Sequence, residues 1–511
     1  MPSGAVTDPE ETTSSDDATL DRAGGPATTT GGSAVAAGGI TTSLSLANVV
    51  VGFAFQALIA GKLGLGPLAD DFQAAWAVVT FGTVVQFTLV TSLLVPRLQI
   101  AGIHGEAIAR TRLPLLLGAL AAVLQVVAAF ALTSGDLQIL LLVSAPSQLF
   151  AGATGLPQAR AYIGRRYFVA GIGPVSNGIA LLAITLLGFA GLGPLLLGVA
   201  VSAGYAAQWM ATAVGSRGAV RWAEGRPIGS RLFIGVVGFT LVSKLQPLLE
   251  RVLSLAVAAG ATAALGFGQK TAQGLLLFSA FGLAVTATAA LARHVSGKRW
   301  MEAAQLLGKT TAATTLLTSV VVAVAVPLAF PAVVILFERG EFSAADSRYV
   351  TDVLLLQLPW VAANSIAGVF TAHIYTHGHY ARLLLASCAG LVATIGATFL
   401  LAIWIPGLAV ASASSIGAIS SLSVILWISR RTAVWNEFRR AIRTHAGLLW
   451  KCATLVGISI LIYAILVALG LSYEFWPSVI GGTLIVLLSS GVLLLSPSTR
   501  TQIRETLNGR L

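Results

Sequence analysis

Residues 232–270 read LFIGVVGFTLVSKLQPLLERVLSLAVAAGATAALGFGQK. They form two apolar runs, 232–257 and the start of 261–291, separated by a short turn. Each run exceeds the roughly 20 residues that cross the hydrocarbon core as a helix. Yet Lys244, Glu250 and Arg251 sit on the first and Lys270 on the second. A lipid-facing helix could not keep such charges, which at membrane depth face a cavity or one another. This stretch therefore specifies a helical membrane bundle with a polar interior.

The rest of the chain agrees. Of 511 residues, 56% are hydrophobic and only 10% charged, and the mean hydropathy is +0.85. Strand-like alternation is absent, which argues against a β-barrel. Cys388 and Cys452 both lie in apolar runs, with neither metal-ligand spacing nor a disulfide framework. Residues 1–40 are rich in Gly, Ser, Thr and Ala and carry six acidic residues against one basic, Arg22. That composition predicts a disordered tail. It lacks the basic start and short apolar core of a signal peptide.

Fourteen apolar spans follow, at about 41–60, 72–95, 113–133, 137–157, 168–188, 191–213, 232–257, 261–291, 310–336, 347–371, 382–404, 407–429, 446–470 and 475–496. Even connections and the C-terminus hold twenty-three Lys and Arg residues; odd connections hold only Lys62, Arg339 and Arg348. The positive-inside rule then places both termini in the cytoplasm and demands an even number of spans. It also explains the net charge of +11 without a nucleic-acid partner. Ala145–Tyr167 aligns with Leu358–Tyr380 at a constant offset of 213: Pro146, Gly155, Tyr162 and Tyr167 fall on Pro359, Gly368, Tyr375 and Tyr380. Spans 1–6 would thus repeat as spans 7–12, in parallel, with a substrate site between two lobes. The predicted fold is all-α and integral to the membrane, with two six-helix lobes plus two C-terminal helices. Its parts are a tail (1–40), an N-lobe (41–213), a cytoplasmic linker (214–231), a C-lobe (232–429), spans 13–14 (430–496) and a second cytoplasmic tail (497–511).

Lys244 and Lys270 lie near one depth, where they would form a cationic cavity for an anion, with Arg251 as a further candidate. Alternatively, Glu250 neutralises Arg251 at the helix end. Asp70 and Asp71 open span 2, where an acid satisfies free N–H groups; a gate or a counter-charge to Lys270 is the other reading of Asp70. Ser343 and Asp346 have the spacing of a capping box opening span 10. His373 and His377 share a face, but no acid or Cys accompanies them and no metal site is assigned. Asn48, Gln56, Gln86, Asn177 and Asn364 fit either helix–helix hydrogen bonds or a hydrated cavity. No nucleophile elbow, Walker sequence or HExxH is present, so the sequence reads as a transporter without catalysis or cofactor.

Three stretches resemble the MurJ/MviN lipid II flippases of the MOP exporter superfamily. They are LFERGEFSAAD at 336–346, Leu249–Lys270, and GLGPLAD at 64–70. The resemblance spans about 41–496. It implies a central cationic cavity for the pyrophosphate of lipid II, alternating access driven by membrane potential or an ion gradient, and a groove at spans 13–14 for the lipid tail. Lys270 falls where the family has a cavity arginine, and Asp70 on the family's acid. Where the family has span-1 arginines, this chain has Ala47-Asn48-Val49 and Phe55-Gln56, and it has none near Thr83.

The sequence therefore predicts an inner-membrane, multi-pass flippase for a polyprenyl-pyrophosphate-linked saccharide of cell-wall biogenesis. It would act as a monomer among membrane lipids, with envelope-assembly proteins as further partners. The other readings are a non-transporting scaffold of envelope assembly and a MATE-like drug or cation antiporter.

Overall fold

The computed structural model describes residues 31–89, 113–163, 166–188, 191, 193–217, 230–279, 291, 294–295, 297–376 and 380–495. Their regular structure is entirely helical: α1 Gly31–Leu63, α2 Pro67–Leu89, α3 Leu113–Leu132, α4 Gly135–Ser144, α5 Pro146–Ile163, α6 Tyr167–Leu187, α7 Pro194–Gly215, α8 Ser230–Val257, α9 Ala261–Ser279, α10 Trp300–Phe337, α11 Ala344–Thr376, α12 Tyr380–Ala402, α13 Ala409–Ser429, α14 Trp435–Arg443, α15 Ala446–Ala468 and α16 Phe475–Leu495. Among the described residues, eleven spans are long and apolar enough to cross a membrane, α4 and α5 counting as one. Helices α8, α9 and α16 occupy the places of the other three expected spans. The first two carry the charged and amide side chains, and the apolar stretch of the third is short.

Three details differ from the sequence reading. Helix begins at Gly31, inside the tail expected over 1–40; Ala34, Ala36 and Ala37 supply good helix formers within that Gly-rich stretch. The fourth span is broken at Ala145–Pro146, whereas its repeat partner α11 continues through Pro359. The connection before span 13 forms a short helix, α14. Its Phe438 packs edge-on against Phe370 with ring centroids 5.5 Å apart, while Arg439, Arg440 and Arg443 are exposed. Residues 1–30, Arg97, Arg110, Arg112, Arg221, Arg226, His377, His379 and the tail from 497 lie outside the described residues.

Helices of the first half pack on one another, α6 on α1 and α7, and α5 on α3 and α7. In the second half α13 packs on α11 and α12, and α11 on α9 and α10. Helices α15 and α16 lie on α10. The Tyr473 hydroxyl, in the turn between them, donates to Asp352 Oδ1 of α11 at 2.7 Å. Large apolar side chains such as Leu116, Phe130, Leu187, Trp404 and Trp476 stand on the outside. Exposed apolar surface on this scale needs lipid rather than water to cover it.

The halves meet through α2, which packs on α8 and α9, and through α1 against α10. Gly64 (φ +56°) stops α1 and Pro67 opens α2, where its missing N–H costs nothing. Ser343 and Asp346 form the expected capping box: the Asp346 amide donates to Ser343 Oγ (3.2 Å) and the Ser343 amide to Asp346 Oδ2 (2.9 Å). That box presents the Arg339–Phe342 turn to the first half, where the Glu341 amide donates to the Gly61 carbonyl at 2.9 Å. Gly340 has φ +60°, and a Cβ there would sit 2.1 Å from the Gly61 oxygen. Gly470 shares the conformation (φ +71°) but has open space around it. Gly340→Ala should therefore lower stability in detergent by more than the roughly 1–2 kcal/mol of left-handed strain, and Gly470→Ala by that strain alone. Thermal unfolding of the two variants measures the difference.

Candidate functional site

A cavity of about 330 Å³ opens within the first half, where α1, α2, α5, α6 and α7 converge, and α9 of the second half reaches into it. Helix α1 supplies Asn48, Gly52, Phe55 and Gln56; α2 supplies Trp76 and Thr83; Gln158, Asn177, Tyr205 and Gln208 come from α5, α6 and α7. Lys270 of α9 is the only charged side chain among the described residues that line it. A methyl group on Gly52 would lie 3.3 Å from Lys270 Nζ, so the missing side chain there gives the ammonium its place.

The polar lining is ordered by its own hydrogen bonds. Gln73 Nε2 donates to Gln56 Oε1 (2.9 Å), and Asn177 Nδ2 to Gln208 Oε1 (3.0 Å). The hydroxyls of Thr83 and Tyr205 are 3.0 Å apart. Behind them a buried chain runs from Gln86 to Gln148 to Gln125 to Ser144. At membrane depth an unpaired amide is costly, so these groups hold one another in fixed orientations. Phe55, Phe72 and Trp76 pack as a ring cluster with centroids about 6 Å apart and form the apolar wall beside the amides.

Asp70 lies outside the cavity lining, where α2 meets the start of α9. Its side chain is 6% exposed and accepts the amides of Gly260 (2.6 Å) and Ala263 (2.7 Å). These are the free N–H groups at the start of α9, and a carboxylate there satisfies them and meets the positive end of the helix dipole. The acid was expected at a helix N-terminus, but the helix is that of the opposite half and not its own. On the same helix, Phe267 packs with Phe337 and Phe342, ring centroids 5.3–6.0 Å apart.

The remaining predicted site residues separate. Arg251 does not line the cavity. It is 8% exposed and Glu250 is 1% exposed, and both are held between α8 and α9. Arg251 Nη2 donates to Gln269 Oε1 (2.7 Å) and Nη1 to the Thr262 carbonyl (3.2 Å). Glu250 accepts from Gln246 (3.0 Å) and from Gln269 Nε2. The two charges thus meet through the Gln269 amide. A guanidinium seven residues from Lys244 reads as sharing its face, but α9 packs on the same side of α8 and takes Arg251 inward. Lys244 is exposed on α8 and apart from the lining. Asn364 faces a second cavity of about 400 Å³, with Ser243, Gln246, Thr371, Tyr375 and Ser387, and donates to the Trp360 carbonyl at 2.9 Å. Of the expected set, then, Asn48, Gln56 and Lys270 come together. Thr83, Gln158, Tyr205 and Gln208 were not identified from sequence. Their signal was polar side chains inside apolar spans, the same that singled out Asn48 and Asn177.

The architecture has relatives among known proteins. The family model described as lipid II flippase MurJ matches residues 114–480. A structure of the lipid II flippase MurJ in an inward closed conformation superposes with a TM-score of 0.65 at 14% identity, covering 89% of this chain and 98% of that one. An inward-facing multidrug resistance MATE family transporter of the MOP superfamily gives 0.57 at 14% identity, covering 78% and 98%. A MOP superfamily transporter from Pyrococcus furiosus gives 0.52 at 13%, covering 78% and 94%. No curated protein matches by sequence.

The two cations should respond differently to removal of charge. Arg251→Met leaves Glu250 buried without its counter-charge, which costs about 3–5 kcal/mol. Lys270 has no hydrogen bond or ion pair among the described residues, so Lys270→Met should leave the unfolding temperature nearly unchanged. Thermal unfolding of both variants in the same detergent checks this.

Proposed function

The chain belongs to the lipid II flippase MurJ family, and from that premise we propose that it flips a polyprenyl-linked saccharide of the cell envelope across the membrane by alternating access. The observation that carries the reading is a polar cavity in the first half into which the second half reaches with one ammonium, that of Lys270. Lys270 would hold the anionic phosphoryl group. The ring cluster and carboxamides would face the sugar, and the polyprenyl chain would stay in lipid.

The positive-inside distribution supports an orientation with the Arg339–Phe342 turn outside and the Arg430–Arg443 segment inside. In this reading the Asp70 contact and the Glu341–Gly61 bond form the outer closure. To release the headgroup, Asp70 must give up the α9 amides as α2 and α9 part. The same carboxylate that steadies the closed state must therefore be rehydrated in the open one, which makes it a reversible latch. Lys270 sits ten residues into the helix that Asp70 caps, so opening the latch and moving the anion site are one motion of α9. The glycines at 64, 260 and 340, all with positive φ, keep the backbones at the closure in conformations that other residues strain to adopt.

Two experiments test this. In proteoliposomes carrying a fluorescent polyprenyl-linked sugar, Lys270→Met should slow flipping at least tenfold and Lys270→Arg should keep most of it; unchanged flipping in Lys270→Met removes the proposed role. For the latch, a cysteine at Ala263, buried behind Asp70, should react slowly with an impermeant maleimide added outside. Asp70→Asn keeps one acceptor of two and should raise that labelling rate several-fold. No change would mean that Asp70 does not hold the closure.

A further inference from the structure

The cavity pairs many neutral amides with one cation, and from this balance we infer that its substrate carries a single phosphoryl charge: a polyprenyl monophosphate sugar, in which one phosphodiester joins lipid to saccharide. This rests on the flippase reading above and narrows it, departing from the pyrophosphate-linked substrate that the sequence predicts.

Charge count separates the two linkages. A pyrophosphate diester brings two negative charges into the cavity and a phosphodiester brings one. Lys270 neutralises one, and no other charged side chain is among the described lining residues. Arg251 is committed to Gln269 and Thr262, and Lys244 stands apart. A second phosphoryl charge would enter an amide-lined chamber whose described lining offers it no counter-ion, and an uncompensated charge drawn away from water is disfavoured. Lysine also suits a compact single charge, whereas the planar fork of arginine suits paired phosphoryl oxygens.

The amides fit the other part of such a ligand. Each carboxamide has both donors and an acceptor. The hydrogen bonds within the lining occupy one side of each: Gln56 through its oxygen, Asn177 through its nitrogen, Gln208 through its oxygen. That leaves the Gln56 and Gln208 NH₂ groups and the Asn177 carbonyl for ligand hydroxyls. With Asn48 and Gln158 also lining the chamber, it offers alternating donors and acceptors beside the exposed part of Trp76. Sugar rings present hydroxyls at their edges and C–H faces to aromatic rings. A cavity of about 330 Å³ is at the lower end of the range for small-molecule sites, which favours a short saccharide.

The test uses the full-length protein in proteoliposomes with two fluorescent lipids that differ only in the linkage: N-acetylglucosamine on a short polyprenyl phosphate, and the same sugar on the pyrophosphate. Flipping is followed by loss of dithionite-accessible fluorescence, and binding in detergent by anisotropy. The monophosphate lipid should flip and bind at least tenfold better, and Lys270→Met should abolish that advantage. Asn48→Lys, which adds a second cation, should shift the preference at least tenfold towards the pyrophosphate. Equal or better handling of the pyrophosphate lipid by the native chain overturns the charge assignment and leaves the flippase reading standing. If neither lipid flips or binds, both fall.

Discussion

The contact between the two halves turns on one carboxylate. Asp70, in the first turn of α2, is buried against the N-terminus of α9 and takes two of its free amides. A charged hydrogen bond to a backbone amide is roughly twice as strong as a neutral one, and two converge here in a place sheltered from water. The contact fixes the axial position of α9 relative to the first half, and that position brings Lys270 against Gly52. Without the cap, α9 would have unsatisfied buried amides and no fixed register against α2. The contact between α2 and α9 and the reach of Lys270 into the cavity thus have a common origin.

The four charges of the α8–α9 stretch illustrate how burial sorts residues of the same type. Arg251 and Glu250 find partners within their own half, and Gln269 serves both with one amide group. That triad ties α8 to α9. Lys270 is the next residue after Gln269, on the adjoining face, and lines the cavity instead. Helical geometry alone separates the two neighbours.

The cavity is built of neutral polar groups because a bundle in lipid must satisfy each of them internally. A chain of glutamines and asparagines meets that demand by mutual pairing while keeping spare donors and acceptors on the cavity side. Such a lining tolerates water and hydroxyls but offers little to a second anion. The outlying helices are anchored elsewhere. Helices α15 and α16 are tied to the second half by the Tyr473–Asp352 hydrogen bond, and α14 seats a basic face on α11 through Phe438 and Phe370.

Hydropathy and the distribution of Arg and Lys determined the all-helical membrane architecture, because the bilayer imposes span length and sidedness directly on local sequence. The capping box at Ser343–Asp346 was legible for a related reason, being a contact between near neighbours. Sequence also marked Lys270, Asn48 and Gln56, since a polar group at membrane depth requires a reason wherever it points. It could not assign Arg251, Asn364 or Asp70. Their surroundings are set by other helices, and a rotation of one residue, about 100° on a helix, decides between a cavity, a packed interface and lipid. Only the packing of α2, α8 and α9 fixed those rotations, and with them which single cation was left to face the cavity.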